Sequence, residues 1–155
     1  KIGFKSFDLE ELVQGAAGAS VNLLDNWNQT VAFVNNGNAY EIAKGAWAYY
    51  PTEGIDTRAT ARYPRLTTQS NENNYQTSSM WIKSADYLKL RNLELGYNFN
   101  TIKLQKAGIE NLRIYLSGHN LATFSGLLKH YNLDPERISG YPTVRSYNVG
   151  VSITF

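Results

Sequence analysis

Few side chains in this 155-residue chain are placed to do chemistry. Its two histidines, His119 and His130, stand far apart with no cysteine anywhere and no His-Glu-x-x-His spacing. Neither a structural zinc site nor a metallohydrolase centre is therefore expected, and both rings read as ordinary strand or loop residues. Asp134 and Glu136 could be imagined as an acid–base pair, but beside Pro135 they read as loop-shaping residues. Gly15-Ala16-Ala17-Gly18-Ala19-Ser20 is rich in small residues yet lacks the Lys-Ser/Thr ending of a phosphate-binding loop, so a strand exit is expected. Asn28-Gln29-Thr30 has the form of a glycosylation acceptor. No Gly-x-Ser-x-Gly element is present. The expectation is no catalysis, no metal and no cofactor.

What remains is aromatic. Trp27, Trp47, Tyr49, Tyr50, Tyr63, Tyr75 and Trp81 all fall in one long stretch, interleaved with Asn and Gln. Rings offer stacking faces and amides offer hydrogen bonds, the combination that sugars and peptides need. Two readings stand: a surface that contacts ligand or partner, or a loop that packs its own rings into a small core.

The elements that would position those rings are strands. From Ser146 the even positions are Ser146, Asn148, Gly150, Ser152 and Thr154, while the odd ones are Tyr147, Val149, Val151, Ile153 and Phe155. This unbroken period of two predicts a strand over 145–155, long enough to span a bilayer at a tilt. A second strand is expected over 111–124, with Leu112, Ile114, Leu116, Gly118, Ala122 and Phe124 on its apolar face, and with Asn120 and Leu121 out of phase. A third, over 85–99, carries Leu93, Leu95, Tyr97 and Phe99 on its odd face, with Lys89 and Arg91 of that face expected at interfacial level. The opening strand, over 4–14, is less regular because Glu11 interrupts Phe7, Leu9 and Val13. Residues 100–110 read as a compact turn and 125–143 as a longer loop. The stretch 15–84 is too long for a structureless connection, so it should carry its own small elements, with short helices expected within 20–34 and 39–47.

Composition agrees with a β-rich chain. Charged residues are 18% of the total, against about 25% in an ordinary globular protein. Aromatics reach 13%, with eleven tyrosines. A helical bundle would need far more Ala, Glu, Lys and Leu. Mean hydropathy is −0.39 and no apolar run approaches the length of a membrane helix. The net charge of +2 comes from 15 basic and 13 acidic residues mixed along the chain, which gives no footprint for nucleic acid. No charged stretch followed by an apolar one opens the sequence, so a leader peptide is not expected, and a processed domain or a piece of a longer protein would look like this.

At this point the residues carry a family resemblance. Tyr87-Leu88-Lys89-Leu90-Arg91-Asn92-Leu93-Glu94-Leu95-Gly96-Tyr97 resembles a late strand of SusC/RagA-like TonB-dependent outer-membrane transporters. Gly108-Ile109-Glu110-Asn111-Leu112-Arg113-Ile114-Tyr115-Leu116-Ser117-Gly118-His119-Asn120-Leu121 is similar to the strand that follows there. So are Leu133-Asp134-Pro135-Glu136, Gly140-Tyr141-Pro142 and the closing run from Arg145 to Phe155. Ala61-Arg62-Tyr63-Pro64-Arg65-Leu66 and Asn74-Tyr75-Gln76-Thr77-Ser78-Ser79-Met80-Trp81-Ile82-Lys83 match the same pattern upstream.

The resemblance implies an all-β fold. Residues 1–155 would be antiparallel strands forming the last part, about four strands, of a transmembrane β-barrel with a long extracellular loop. It also implies an outer-membrane location in a Gram-negative bacterium and import of glycan or peptide oligomers into the periplasm. Implied partners are a SusD-like surface lipoprotein, outer-membrane lipid, and a TonB complex reached through N-terminal parts not in this chain. The family's transporters are several times longer, so a C-terminal piece is the expectation. Tyr97, Phe99 and Phe155 would form an aromatic girdle at the inner interface, and a terminal aromatic resembles the signal that barrel-assembly machinery reads. The alternative is a soluble β-rich carbohydrate-binding module, which would need a second apolar sheet face to pack against.

Overall fold

In a computed structural model, residues 1–99, 102–141 and 143–155 are described. Asn100 and Thr101 of the expected turn, and Pro142 of the Gly140-Tyr141-Pro142 stretch, lie outside them. The strands are β1 (Ile2–Phe4), β2 (Phe7–Ala16), β3 (Ser20–Asn22), β4 (Tyr49–Tyr50), β5 (Ile55–Asp56), β6 (Ile82–Ser84), β7 (Tyr87–Phe99), β8 (Asn111–Ser125) and β9 (Ser146–Thr154). Short α-helices among the described residues are α1 (Trp27–Thr30), α2 (Ile102–Lys106) and α3 (Gly126–Tyr131). The chain divides into two compact units, one of residues 1–16, 87–124 and 143–155 and the other of residues 17–86 and 125–142.

The first unit is one sheet in the order β1-β2-β7-β8-β9. Neighbours β1–β2, β2–β7 and β8–β9 pair antiparallel. The side-chain contacts Glu94–Arg113 and Asn92–His119 run β7 against β8 in the same sense. Its opening differs from the single strand expected over 4–14. Lys5 takes a left-handed φ of 55°, and the chain reverses so that Phe4 faces Phe7 across a tight hairpin. The tight turn and the 100–110 connection leave one end of the sheet, while 17–86 and 125–142 leave the other.

Period-two alternation gives this sheet two unlike faces. In register, Leu112 opposes Ile153, Ile114 opposes Val151, and Leu116 opposes Val149, all on one face. Phe7 opposes Tyr97 and Leu9 opposes Leu95 on the matching face of β2 and β7. Glu11, opposite Leu93, is a charge on this face that nothing in the structure accounts for. Phe7, Tyr97 and Phe99 meet edge to face at the tight-turn end, with centroids 4.7 and 4.6 Å apart. Phe155 follows β9 at that same end.

The expected placement of Lys89 and Arg91 on the apolar face is corrected by a bulge. Leu12 opposes Asn92 but Val13 opposes Leu90, so Arg91 is an extra residue in β7. An extra residue shifts every following side chain to the other face. Leu88 and Leu90 thereby join Leu93 and Leu95, and Lys89, fully buried, turns to the polar face beside Gln14. Arg91 donates from Nε to Gln14 Oε1 at 2.9 Å and from Nη1 to Asn120 Oδ1 at 3.3 Å. A second irregularity explains why Leu121 is out of phase in β8. Asn120 has φ 53°, and Leu121 is turned so that its side chain covers Gly118.

The polar face is cross-tied. Arg113 of β8 reaches over β7 to Asp8 of β2, with Nη2–Oδ2 at 2.6 Å and Nε–Oδ1 at 3.2 Å, and also touches Glu94 Oε1 at 2.7 Å. Asn98 Nδ2 donates to Asp8 Oδ1 at 2.8 Å. The reach is possible because Gly96 lies beneath the guanidinium, where a Cβ would collide with it. Tyr115 lies over Gly150 of β9 in the same manner, so a side chain at Gly150 must displace the ring. Replacing Gly150 is therefore not the mild change that a small residue on a polar face suggests.

The second unit has a small core of Leu23, Ile42, Trp81, Ala85, Leu127 and Leu133. Two ladders of two or three residues, β3–β6 and β4–β5, brace it. The helices expected within 20–34 and 39–47 are single turns: four residues at Leu23–Asn26, then α1, and five at Glu41–Gly45. Helix α3, in the loop expected at 125–143, starts where Ser125 Oγ accepts from Leu127 N and ends at Asn132, whose φ is 57°.

Candidate ligand-contacting surface

The seven aromatic residues singled out in the sequence separate into two groups. Trp81 is 2% exposed, and its Nε1 donates to the Asn74 carbonyl at 2.9 Å. Tyr63 stacks on it with centroids 5.5 Å apart and planes 19° from parallel. Tyr75 is tilted against it at 6.0 Å, and Trp27 meets Tyr75 edge-on at 5.3 Å. Leu23 N donates to the Trp81 carbonyl, which fixes this stack to the core. Burial pushes the Tyr63 hydroxyl well above the ordinary tyrosine range, helped by its hydrogen bond with Tyr131, and burial alone raises Tyr75. Both hydroxyls therefore stay protonated and neutral at physiological pH.

Trp47, Tyr49 and Tyr50 are the exposed group. They sit on and beside the β4–β5 hairpin, where Tyr49 opposes Asp56 and Tyr50 opposes Ile55. Gly54, at φ 70°, lets the hairpin turn. Asp56 grips Arg58 through Oδ1–Nε at 2.9 Å and Oδ2–Nη2 at 2.8 Å, and the guanidinium lies 3.7 Å from the Tyr49 ring centre. Below the hairpin, Arg62 N and Tyr63 N both donate to the Gly45 carbonyl, and Trp47 N donates to the Tyr63 carbonyl. A Cβ at Gly45 would strike the Tyr63 ring, so this close crossing of two chain segments needs glycine.

The crossing opens an apolar-walled cleft of about 480 Å³, lined by Trp47, Tyr63, Arg58, Arg62, Asn74 and Met80 among others. Of the seven expected rings only Trp47 and Tyr63 line it. The two arginines, Asn74 and Met80 were not singled out in the sequence. The available signal was Arg58 and Arg62, two cations four residues apart that flank a run of small residues just before Tyr63.

The Arg58 guanidinium beside Asp56 pulls the carboxyl down to about 2 from an ordinary 3.8, through its side-chain hydrogen bonds first and the backbone N–H of Arg58 second. Because the folded value lies below the unfolded one, the pair supports the hairpin fully above 3.8 and its support is lost as pH falls through about 2. A carbon-detected NMR titration of the Asp56 carboxyl is expected to show it ionised throughout the range below pH 4 until that point. A midpoint near 4 would mean the pair does not form.

The remaining candidates make local contacts. His119 Nδ1 lies 2.9 Å from Asn92 Oδ1, and the His130 ring sits edge-on to Tyr131 at 6.3 Å. Asp134 Oδ1 accepts from Glu136 N at 3.0 Å while its carbonyl accepts from Arg137 N, which makes a turn. No group of three His, Cys, Asp or Glu residues able to hold a metal exists among the described residues.

No family model matches the chain. TonB-dependent receptor P3 of Formosa agariphila is 26% identical across 98% of the chain, and receptor P26 of the same organism is 24% identical across 99%. Receptor P39 is 33% identical over 52% of the chain. The chain spans only 15% and 16% of the lengths of P3 and P26. Among solved structures, the RagAB peptide transporter shares the fold with a TM-score of 0.68 and 24% identity, covering 99% of this chain and 16% of that one. The RagAB peptide importer in a closed-closed state gives 0.66 at 23% identity. The antiparallel all-β fold is thus that of the RagAB barrel region, and the resemblance to SusC/RagA-like TonB-dependent receptors extends over nearly the whole chain.

Proposed function

The chain resembles TonB-dependent receptors from end to end, and on that premise we propose that it is the C-terminal barrel segment of an outer-membrane transporter. The complete protein imports nutrient oligomers, glycan or peptide, into the periplasm of a Gram-negative bacterium. The observation that carries this reading is the sheet with one face of exposed apolar side chains over four long strands and ion pairs on the other. Lipid-facing walls alternate in this way, with a polar interior. Five strands do not close a barrel, which takes at least about eight, so further chain pairs both outer edges of the sheet. Short turns at one end and long connections at the other match periplasmic and extracellular sides respectively.

In this arrangement Phe7, Tyr97, Phe99 and Phe155 sit at the periplasmic interface, and the aromatic and arginine-lined surfaces of residues 17–86 meet substrate or a SusD-like lipoprotein. The TonB complex acts through parts of the transporter outside this chain. A soluble carbohydrate-binding module would need a second apolar layer. Among the described residues, the strands outside the sheet form only ladders of two or three residues. The test is the mass and membrane partition of the native polypeptide that carries this sequence. A species several times heavier than 17.4 kDa, released from outer membranes only by detergent, is expected. A soluble 17.4 kDa species would overturn the reading.

A further inference from the structure

The cleft beside the β4–β5 hairpin has a composition that narrows its ligand. Its walls are the Trp47 indole, the Tyr63 ring and the Met80 side chain, with Trp47 38% and Met80 42% exposed. Its two cations differ in kind. Arg58 is committed, held by both carboxyl oxygens of Asp56 and laid on Tyr49. Arg62 is exposed, and among the described residues no carboxylate lies within ion-pair distance of it, although its backbone N–H is fixed to Gly45. Of the two arginines lining the pocket, only Arg62 stands outside an ion pair among the described residues, and apart from Asn74 the other lining side chains are aromatic, aliphatic or thioether.

We propose that this cleft binds a peptide through a carboxylate set next to an apolar side chain, with Arg62 taking the carboxylate and Trp47 and Met80 taking the apolar group. This rests on the transporter reading and names the substrate class at one of its sites. A guanidinium pairs both oxygens of a carboxylate in a geometry that an ammonium cannot reproduce. Met is unbranched and polarizable, and it adapts to differing apolar side chains, as a site that accepts many peptide sequences requires. A saccharide site would instead need several hydrogen-bonding groups around its ring, and beside the arginines this cleft supplies little more than Asn74.

The experiment uses the intact transporter in detergent and two probes, N-acetyl-Ala-Asp-Leu-Ala amide and its Asn counterpart, with affinity read by calorimetry. The Asp peptide is expected to bind more tightly. Arg62→Gln should lose about tenfold on the Asp peptide and leave the Asn peptide unchanged, the effect of losing one charge-assisted pair. Met80→Glu, which sets a like charge in the cleft, should weaken the Asp peptide more than the Asn peptide and guards against a variant that merely unfolds. Equal losses on both probes, or no preference between them in the wild type, overturn the proposal. Arg62-dependent binding of tri-galacturonate tighter than that of the Asp peptide overturns it in favour of an acidic glycan. Each of those failures leaves the membrane partition unchanged, whereas failure of the transporter reading shows in the partition itself.

Discussion

Val151→Arg is expected to cost the proposed barrel about 2–4 kcal/mol in the membrane, the penalty for a cation on the lipid face near the bilayer midplane. Val151 is 59% exposed, lies near the middle of β9, opposes Ile114, and stands between Val149 and Ile153 on the same face. None of these neighbours offers an acceptor to an arginine. The control is Asn148→Arg, on the opposite face where Asn148 is exposed and opposes Ser117. Denaturant unfolding of the intact protein in lipid, followed by the gel shift between folded and unfolded barrels, reads both. Gly150→Ser does not serve as the control, because the Tyr115 ring occupies the space its side chain would need. Equal stability of the Val151 and Asn148 variants would show that β9 does not present its odd face to lipid.

Trp81→Ala is expected to cost the unit of residues 17–86 and 125–142 about 3–5 kcal/mol, the range for truncating a large buried aromatic residue. The indole is enclosed, stacked on Tyr63, tilted against Tyr75 and hydrogen-bonded through Nε1. Its loss removes the surface on which Tyr63 lies and with it one wall of the arginine cleft. Limited proteolysis of the intact protein should show new cuts within 17–86 for Trp81→Ala and none for Trp47→Ala, since an exposed residue away from special features shifts stability by only about 0.5 kcal/mol. The same digestion pattern for both variants would show that Trp81 does not hold this unit together.

How far the sequence discloses all this depends on how strictly each segment is patterned. β9 alternates without interruption, so parity alone assigns each of its residues to a face. β7 misleads because its alternation changes phase. Leu88 and Leu90 are even, Leu93 and Leu95 are odd, and the shift between them is the trace of the bulge at Arg91. Read with one fixed parity, the strand puts Lys89 and Arg91 on the wrong face. Read with the shift, it puts every leucine together. The reversal after Phe4 leaves no such trace, since three residues are too few to show a period. The rings of the long connection were visible as a group but not as two groups, because composition does not distinguish a stacked indole from an exposed one. The cleft was hidden for a different reason. Its walls come from residues 47, 62, 74 and 80, brought together by backbone contacts such as those to the Gly45 carbonyl, and no local pattern encodes such crossings.

The two glycines of the polar face carry one more implication. Arg113 lies flat across Gly96 and Tyr115 lies flat across Gly150, each filling the notch left by a missing side chain on the next strand. Large residues on an inward-facing wall ordinarily project toward the axis and narrow whatever passes along it. Here a guanidinium and a phenol are folded down onto the wall, so they contribute charge and hydrogen-bonding groups without taking up width. In the proposed barrel, the calibre of the conduit and the chemistry of its lining are thereby set by different residues. The glycines decide how much room is left, and the side chains resting on them decide what the passing molecule meets.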